Sequence, residues 1–405
     1  MNITEDKLLE QPTLSIMDVF LVLLLICISG NPFFGAMTKF KYIIVAIFVT
    51  MISIMYEKPL LSKRTLLWVI VCGVLLFLQY SILNRVSINA DVNFFAKLYL
   101  GSSIMIVLGE RFRYAYLKIM VVLAGVSLVL WLVNSFVALP GVEVSRYRSL
   151  IFFNYINKGN FDGFRIRRNC GMFWEPGAYQ GFIMIVPLLY IGQIRDLLSQ
   201  YKKECVILFA ALLSTMSTTG YVVLAVLAML LIMKNINNVF LKFFVAFFAV
   251  AVFIWAYNTF DFLGEKIESQ YEEAMALESG KASLSRMGAL QIDIENIKQH
   301  PLVGNGFLMS EKYGDLADEM RGAGNGFSGA INIFGLPLIF LYLFGLYRNA
   351  PAATKYESMI FPLIIMLLLN GEYFLNYPLF WSLLFVKYPE LYFEYEEYSY
   401  SNDGF

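Results

Sequence analysis

The residues best suited to chemistry in this chain are cationic, and they come in two groups. The segment "FDGFRIRRNCGMFWEPGAYQ" carries Arg165, Arg167 and Arg168, with Glu175-Pro176 following at the start of an apolar run. Arginine suits a phosphate because its planar fork donates paired hydrogen bonds and stays charged near any relevant pH. A basic cluster beside a bilayer surface therefore suits a phosphate carried on a lipid. In an extended segment Arg165 and Arg167 share a face and Arg168 points away, so the three cannot all meet one ligand. The same arginines can instead contact lipid headgroups or pair with Asp162 and Glu175. Glu175 has three readings: a general base toward a hydroxyl, a partner that orients an arginine, or an acid favoured by the dipole at a helix N-terminus.

The second group lies further on. Residues 285–299, "SRMGALQIDIENIKQ", place Met287, Leu290, Ile294 and Ile297 at helical spacing, with Gln291, Asp293, Glu295 and Lys298 opposite. Ser283 or Ser285 can cap the first amides, and Pro301 ends the helix because the residue before a proline avoids helical geometry. The pattern predicts an amphipathic helix lying across a membrane face, with a second, acidic helix near 263–279. Arg286 opens the first helix, where a cation is slightly unfavourable; it is either a solvated helix-start residue or a ligand-binding one. His300, the single histidine of the chain, can take a proton near neutral pH or merely cap carbonyls at the helix end. Gly304 and Gly306 allow a tight turn or a close backbone approach. Arg321 in "DEMRGAGNGFSG" has the same two readings as Arg286.

Other chemistries find no residues. With one histidine, no Cys-x-x-Cys and no Asp-x-Asp in the long loops, no metal-ligand spacing appears, and a metal-independent, cofactor-free mechanism is expected. Nucleotide-binding and nucleic-acid motifs are absent too. Cys27, Cys72 and Cys205 fall in apolar segments as packing residues, and Cys170 alone falls in the first long loop.

The elements that must position these residues are membrane spans. Of 405 residues, 59% are hydrophobic and 15% charged, against about 25% charged in a soluble chain; the mean hydropathy is +0.63. A span needs about 20 mostly apolar residues. Apolar segments near 15–31, 41–55, 65–83, 94–109, 114–136, 177–194, 204–217, 219–233, 238–258, 327–347, 357–374 and 376–388 predict an all-α polytopic protein with about twelve transmembrane helices in one domain, 1–405. The short loops 57–64, 110–118, 195–203, 234–242 and 347–357 each carry at least two basic residues, which assigns them to the cytoplasm. Loops 138–176 and 259–325 then face the extracytoplasmic side, and both termini are cytoplasmic. No cleavable signal peptide is expected, since the N-terminus lacks a basic region and a small-residue cleavage site. Asp18, Lys97, Glu110 and Glu372 fall toward predicted span ends, where long side chains reach the interface. The absence of mid-span charge weighs against a pump.

Three segments carry a resemblance. "RRNCGMFWEPGAYQGFIMIVPLL" (167–189) resembles the Gly-x-x-x-Glu-Pro segment of Wzy-type polysaccharide polymerases. "SRMGALQIDIENIKQHPLVGNGF" (285–307) resembles the Arg…His-Pro-x-x-Gly-x-Gly signature of the O-antigen ligase and polymerase superfamily. "GAGNGFSGAINIFGLPLIFLYLFGL" (322–346) is similar to the His-Asn…Gly segment that leads into that superfamily's next span. Together they cover about a fifth of the chain, in the family's order and spacing.

The resemblance implies a GT-C-like membrane glycosyltransferase of the bacterial inner membrane. Its donor and acceptor would be undecaprenyl-pyrophosphate-linked glycans, and its other partners membrane lipid and a chain-length regulator protein, with no nucleic acid. It maps Arg286 onto the helix-start arginine, His300-Pro301 onto the His-Pro step, and Gly171, Glu175 and Pro176 onto the Glu-Pro motif. One departure matters: Gly324-Asn325 stands where ligases have His-Asn, so a ligase's histidine is missing and a polymerase is favoured over a ligase. Arg165, Arg167, Arg168, Arg286, Arg321 and Asn325 are then expected to bind substrate. His300 is favoured as proton acceptor, and Glu175 as the partner that holds an arginine. A lipid-linked oligosaccharide exporter is the rival of another class; it predicts charged or discontinuous helices at mid-bilayer and internal repeats.

Overall fold

The computed structural model describes residues 11–35, 40–83, 87–137, 139–144, 147–150, 153–156, 168–234, 236–244, 247, 286–307 and 325–387. Arg165, Arg167, Arg321, Gly324, the helix expected at 263–279 and most of the span expected at 238–258 lie outside them.

The described chain is mostly helical: α1 Ile16–Gly30, α2 Pro32–Gly35, α3 Lys41–Met55, α4 Lys63–Leu83, α5 Ile88–Leu108, α6 Arg111–Phe136, α7 Pro176–Leu189, α8 Ile194–Gln200, α9 Lys202–Ser214, α10 Thr218–Lys234, α11 Arg286–Gln299, α12 Gly326–Asn349, α13 Lys355–Gly371 and α14 Pro378–Ser382. By length and composition α4, α5, α6 and α12 can cross a membrane; α7 with the segment 191–200 makes a fifth candidate, bent by 59°. Shorter apolar helices are α1, α3 and α10. Many of the outward-facing side chains of α3 and α4 are apolar and exposed, such as Ile44, Ile47, Leu67, Ile70 and Phe77, which suits a lipid surround. The mostly helical make-up agrees with the all-α expectation, and one small non-helical element is added to it. Within the first long loop Val142–Val144, Tyr147–Leu150 and Phe153–Ile156 form a three-stranded antiparallel sheet in sequence order.

The helix starts follow from local sequence. Ser15 and Asp18 form a capping box on α1, and Thr354 and Glu357 form another on α13. Each satisfies two backbone donors that the first turn leaves over. Asn325 caps α12 through the amides of Phe327 and Ser328, and Pro176 occupies the first position of α7, where its missing N–H costs nothing.

The bundle has two ends. At one, Asp18 pairs with Arg111 at 3.0 Å, Lys118 with Glu204 at 3.0 Å, and Lys234 with Glu357 at 2.5 Å. Arg64 donates to Asn349 Oδ1 and to the Lys387 carbonyl, and Arg113 to Gln193. These contacts tie the basic loops together pairwise, as expected of loops on one side of a membrane. Asn31, Glu175, Asn325 and Glu372 belong to the opposite end.

Residues 376–388, expected to be a span, are something else. The five-residue α14 and a 3₁₀ turn at Leu383–Phe385 are fully buried, and α14 is about 7.5 Å long against about 30 Å of bilayer core. It packs on Gly101 of α5, where a Cβ would press on the Pro378 carbonyl and the Ser382 backbone. Trp381 sits edge-on to Phe94, Phe334 and Tyr342. The segment still returns the chain to the paired end, since the Lys387 amide donates to the Asn349 carbonyl at 3.2 Å.

α12 is broken at Gly335, which takes φ 74° and ψ 163°. Pro337 is the cause, for its ring clashes with the carbonyl four residues back and removes a helical donor. The carbonyl so freed, that of Ile333, accepts from the Gly306 amide at 3.1 Å and from Gln79 Nε2 at 2.7 Å. Gly304 (φ 72°) and Gly306 (φ 71°) let the 301–306 turn reach the break, and a Cβ on Gly304 would press on the Ile333 carbonyl.

Candidate functional site

At the end opposite the ion pairs, irregular stretches from four parts of the chain meet. Residues 168–175 are held by Asn169: its amide donates to the Ser214 carbonyl at 3.0 Å, and its Nδ2 to Ser214 Oγ and Ser127 Oγ. Its Oδ1 accepts from the Gly171 amide, and Gly171 takes φ 54° against the ring of Tyr179. Asn31 Nδ2 donates to the Met172 carbonyl at 2.8 Å. Phe173 then stacks on Tyr179 and packs on Phe182. This scaffold leaves Trp174 and Glu175 half-buried at the head of α7.

The other half comes from the end of α13. The helix stops at Gly371, Glu372 is extended and only 8% exposed, and a 3₁₀ turn covers Phe374–Asn376. Trp174 Nε1 donates to Glu372 Oε2 at 3.1 Å, and Trp174 stacks on Tyr377 at 4.7 Å between centroids, 29° from parallel. Gly177 makes room for both acids: its absent Cβ would lie 2.9 Å from Glu372 Oε1 and 3.1 Å from Glu175 Oε1. Two carboxylates 197 residues apart in sequence thus converge beside an aromatic platform. Asn325 adds an amide, its Nδ2 donating to Asn370 Oδ1 at 3.2 Å, and the start of α12 rests on the Glu372 backbone at Gly326. Asn370 and Asn376 are exposed, so the cluster is reachable.

The site is recessed. Lys97 Nζ donates to Asn376 Oδ1 at 2.7 Å, and Lys97 lies about 14 Å along α5 from its start. Two expectations change here. Lys97 does not reach out to an interface; it is 9% exposed, mid-helix, with Tyr42's ring face 4.9 Å away. Glu372 does end its helix, but inside the bundle and facing Trp174.

Of the expected site residues, Glu175 and Asn325 are brought together through Glu372. Arg168 borders the group, but its Nε donates to the Thr215 carbonyl at 3.0 Å, tying it to the turn between α9 and α10. The helix expected at 285–299 forms over Arg286–Gln299, and it packs lengthwise on α12 rather than presenting the expected apolar face. Asp293 is wholly buried, accepting from Ser328 Oγ at 2.6 Å and Asn332 Nδ2 at 3.2 Å, while Ile294 is 42% exposed. Asn305 extends this network to Asn332 Oδ1 and the Asn296 carbonyl. α11 carries Arg286 at its head and His300 just past its foot. The Pro301 carbonyl accepts from the Leu336 amide, and Leu336 lies about 16 Å along α12 from Asn325. His300 is therefore not gathered with Glu175.

Trp174, Tyr377, Glu372 and Lys97 are the members that sequence reasoning missed. A signal was present for three of them: "NGEYFLNYP" interrupts an apolar run with an acid, two asparagines and a proline, and "FWEP" mirrors its aromatic-acid pairing. Cys170, behind the platform, is buried, and burial pushes its thiol up to about 12. Among the described residues no group of three or more His, Cys, Asp or Glu side chains is placed to hold a metal. No family model, no curated protein and no solved structure matches the chain.

Proposed function

We propose that the protein is a membrane glycosyltransferase that polymerises oligosaccharide repeats linked to a polyprenyl pyrophosphate, with a GT-C-like, twelve-segment layout in a bacterial inner membrane and both termini cytoplasmic. The observation that carries the reading is the carboxylate pair Glu175 and Glu372 beside the Trp174–Tyr377 stack. Stacked rings offer a flat apolar face to a sugar, and carboxylates accept its hydroxyls, so the combination suits a glycan better than an ion or a lipid tail. The resemblance of 167–189 to Wzy-type polymerases, and of 285–307 and 322–346 to the O-antigen ligase and polymerase superfamily, points the same way.

In the proposed reaction an acceptor hydroxyl attacks the anomeric carbon of the donor. The bond from that carbon to the pyrophosphate oxygen breaks, its electron pair leaving with the pyrophosphate, and the hydroxyl proton passes to a carboxylate. Glu175, the more accessible of the pair, is the proton acceptor, and Glu372, held by the Trp174 indole, orients the sugar. This reading gives the role to Glu175 in place of His300, because the neighbouring Pro301 is hydrogen-bonded to Leu336, well along α12 from Asn325. Arg286, Arg321 and at least one of Arg165, Arg167 and Arg168 offset charge on the leaving pyrophosphate, and Asn325 helps align the acceptor. Membrane lipid and a chain-length regulator are the remaining partners.

The exporter reading gains from two features, the buried Lys97 and the break of α12 at Gly335, which are of the kind such a carrier needs. The glycan profile of cells lacking the protein separates the readings. Single repeats on the carrier at the outer face support the polymerase. Full-length polymer detached from its lipid A-core acceptor indicates a ligase, and repeats trapped at the cytoplasmic face indicate the exporter.

A further inference from the structure

Lys97 is a cation in an unusual place. It lies mid-way along α5, in a stretch of that helix most of which is buried, and its neighbours on the next turns, Phe94, Leu98 and Gly101, are buried as well. Its ammonium has one hydrogen bond, to the neutral amide of Asn376, and one ring face, that of Tyr42. Among the described residues no carboxylate lies within ion-pair distance of it. A second ammonium, Lys41, stands 5.1 Å from the centroid of the same Tyr42 ring, donating to the Phe34 carbonyl at 2.8 Å. Like charges gathered on one ring in a low-dielectric interior repel, so burial and neighbouring charge both act against this arrangement. Lys118, Lys234 and Arg111 each meet a carboxylate; the half-buried Arg113 also meets an amide and a ring, those of Gln193 and Tyr190, and Lys97 differs from it in being buried.

Access is provided on one side. Asn376 is exposed while Lys97 is not, so the ammonium ends against the reachable face of the carboxylate and aromatic cluster. The next residue, Tyr377, stacks on Trp174. An anion reaching Asn376 would come next to the Lys97 ammonium and to the platform.

We propose that Lys97, with Lys41 behind the shared Tyr42 ring, is a subsite for a phosphate group of a membrane lipid. The phosphate supplies Lys97 with a counter-charge that no carboxylate among the described residues supplies. A lipid is the fitting carrier because the subsite sits at mid-depth of an apolar helix and not in a loop. The identification of that lipid as the glycan's polyprenyl carrier rests on the polymerase reading; the anion subsite itself does not.

The test uses the full chain purified into phosphatidylcholine nanodiscs, titrated calorimetrically with farnesyl diphosphate and, separately, with discs containing phosphatidylglycerol. Wild type is expected to bind farnesyl diphosphate, with Lys97→Met weakening it by about tenfold or more, as truncating a buried charged partner does. Lys41→Met weakens it less. The ligand-free melting temperature of Lys97→Met stays equal or rises, because removing an uncompensated buried charge relieves the fold, whereas a residue that merely anchored Asn376 would lower it. Lys97-dependent binding of farnesyl diphosphate alone identifies the carrier; equal Lys97-dependent binding of phosphatidylglycerol identifies bulk lipid. Wild-type affinity of Lys97→Met for both overturns the proposal. If Lys97→Met does not fold, wild-type affinity of Lys41→Met for both overturns it. Lys97-dependent binding in a protein whose deletion leaves polymer length normal keeps the subsite and discards the polymerase.

Discussion

The two ends of the bundle treat charge in opposite ways. At the paired end, Glu357 is fully buried yet receives Lys234, the hydroxyl of Thr354 and the amides of Ala353 and Thr354. Arg111 reaches Asp18, and Lys118 reaches Glu204 across two tyrosine rings. These ion pairs link helices at that end, where Arg64 and Arg113 meet amide and carbonyl oxygens besides. At the other end Lys97 meets an amide and a ring, Glu372 meets an indole N–H, and two carboxylates crowd one glycine. On the function proposed above, the second arrangement, with like charges gathered beside aromatic rings and exposed asparagines, is the one that would meet a ligand.

The largest effect should separate the ends outright. Glu175→Gln is expected to lower in vitro extension of lipid-linked repeats by roughly 10²–10⁴-fold, the range for losing a general base, with an unchanged melting temperature. Glu357→Gln should do the reverse, retaining activity per folded molecule while losing on the order of 1–3 kcal/mol, as a helix cap and an ion pair to a buried carboxylate weaken together. Equal stability losses at both ends would break the comparison. His300→Ala sharpens it: turnover within about threefold of wild type keeps the base with the carboxylates, whereas a general-base loss of about 10²-fold or more returns the role to the histidine.

Next in size is the break in α12. Gly335→Ala forces a non-glycine residue to φ 74° and drives a Cβ into the Leu302 carbonyl; it is expected to cost about 1–3 kcal/mol in thermal or denaturant unfolding. Gly125→Ala, with open space around it, serves as the control and should be neutral or slightly stabilising. A stable Gly335→Ala would mean that the break is not held by its backbone.

Cys170 gives a smaller, spectroscopic effect. Its thiol is raised to about 12 by burial, so the reactive thiolate is scarce from neutral to mildly alkaline pH and appears only as pH approaches that value. With Cys205 replaced by serine, maleimide labelling should be absent in the native protein and complete after denaturation. Fast native labelling would mean that the scaffold behind Trp174 is open. The smallest effect is expected from Glu295→Gln. Its pair with Lys298 is exposed, at 70% and 65% of the two side chains, and stability should change by less than about 0.5 kcal/mol.

Much of the fold was legible. Ser15-x-x-Asp18 and Thr354-x-x-Glu357 are local signals, and they start helices where the pattern says they should. Apolar runs of 15 to 26 residues became helices because nothing beyond composition is needed to make a backbone satisfy its own hydrogen bonds away from water. Loops rich in lysine and arginine share an end for an equally simple reason, since charge stays out of the apolar middle. The reading went astray where a segment's partner lies elsewhere. Asp293 looks solvated on a helical wheel, and only Ser328 and Asn332, more than thirty residues later, make it an interior acid. The apolar run 376–388 looks like a span until α5 offers Gly101 as a seat for a short helix.

The sequence by itself determined the class of the protein, the helix starts and the shared end of its basic loops, because these depend on composition and on contacts within a few residues. Tertiary structure alone decided the site. Glu175 and Glu372, Trp174 and Tyr377, and Lys97 and Asn376 are each joined across roughly two to three hundred residues. No local rule links such positions. Their meeting depends on where glycines 171, 177 and 335 let backbones approach or turn, and that depends on all the surrounding helices at once.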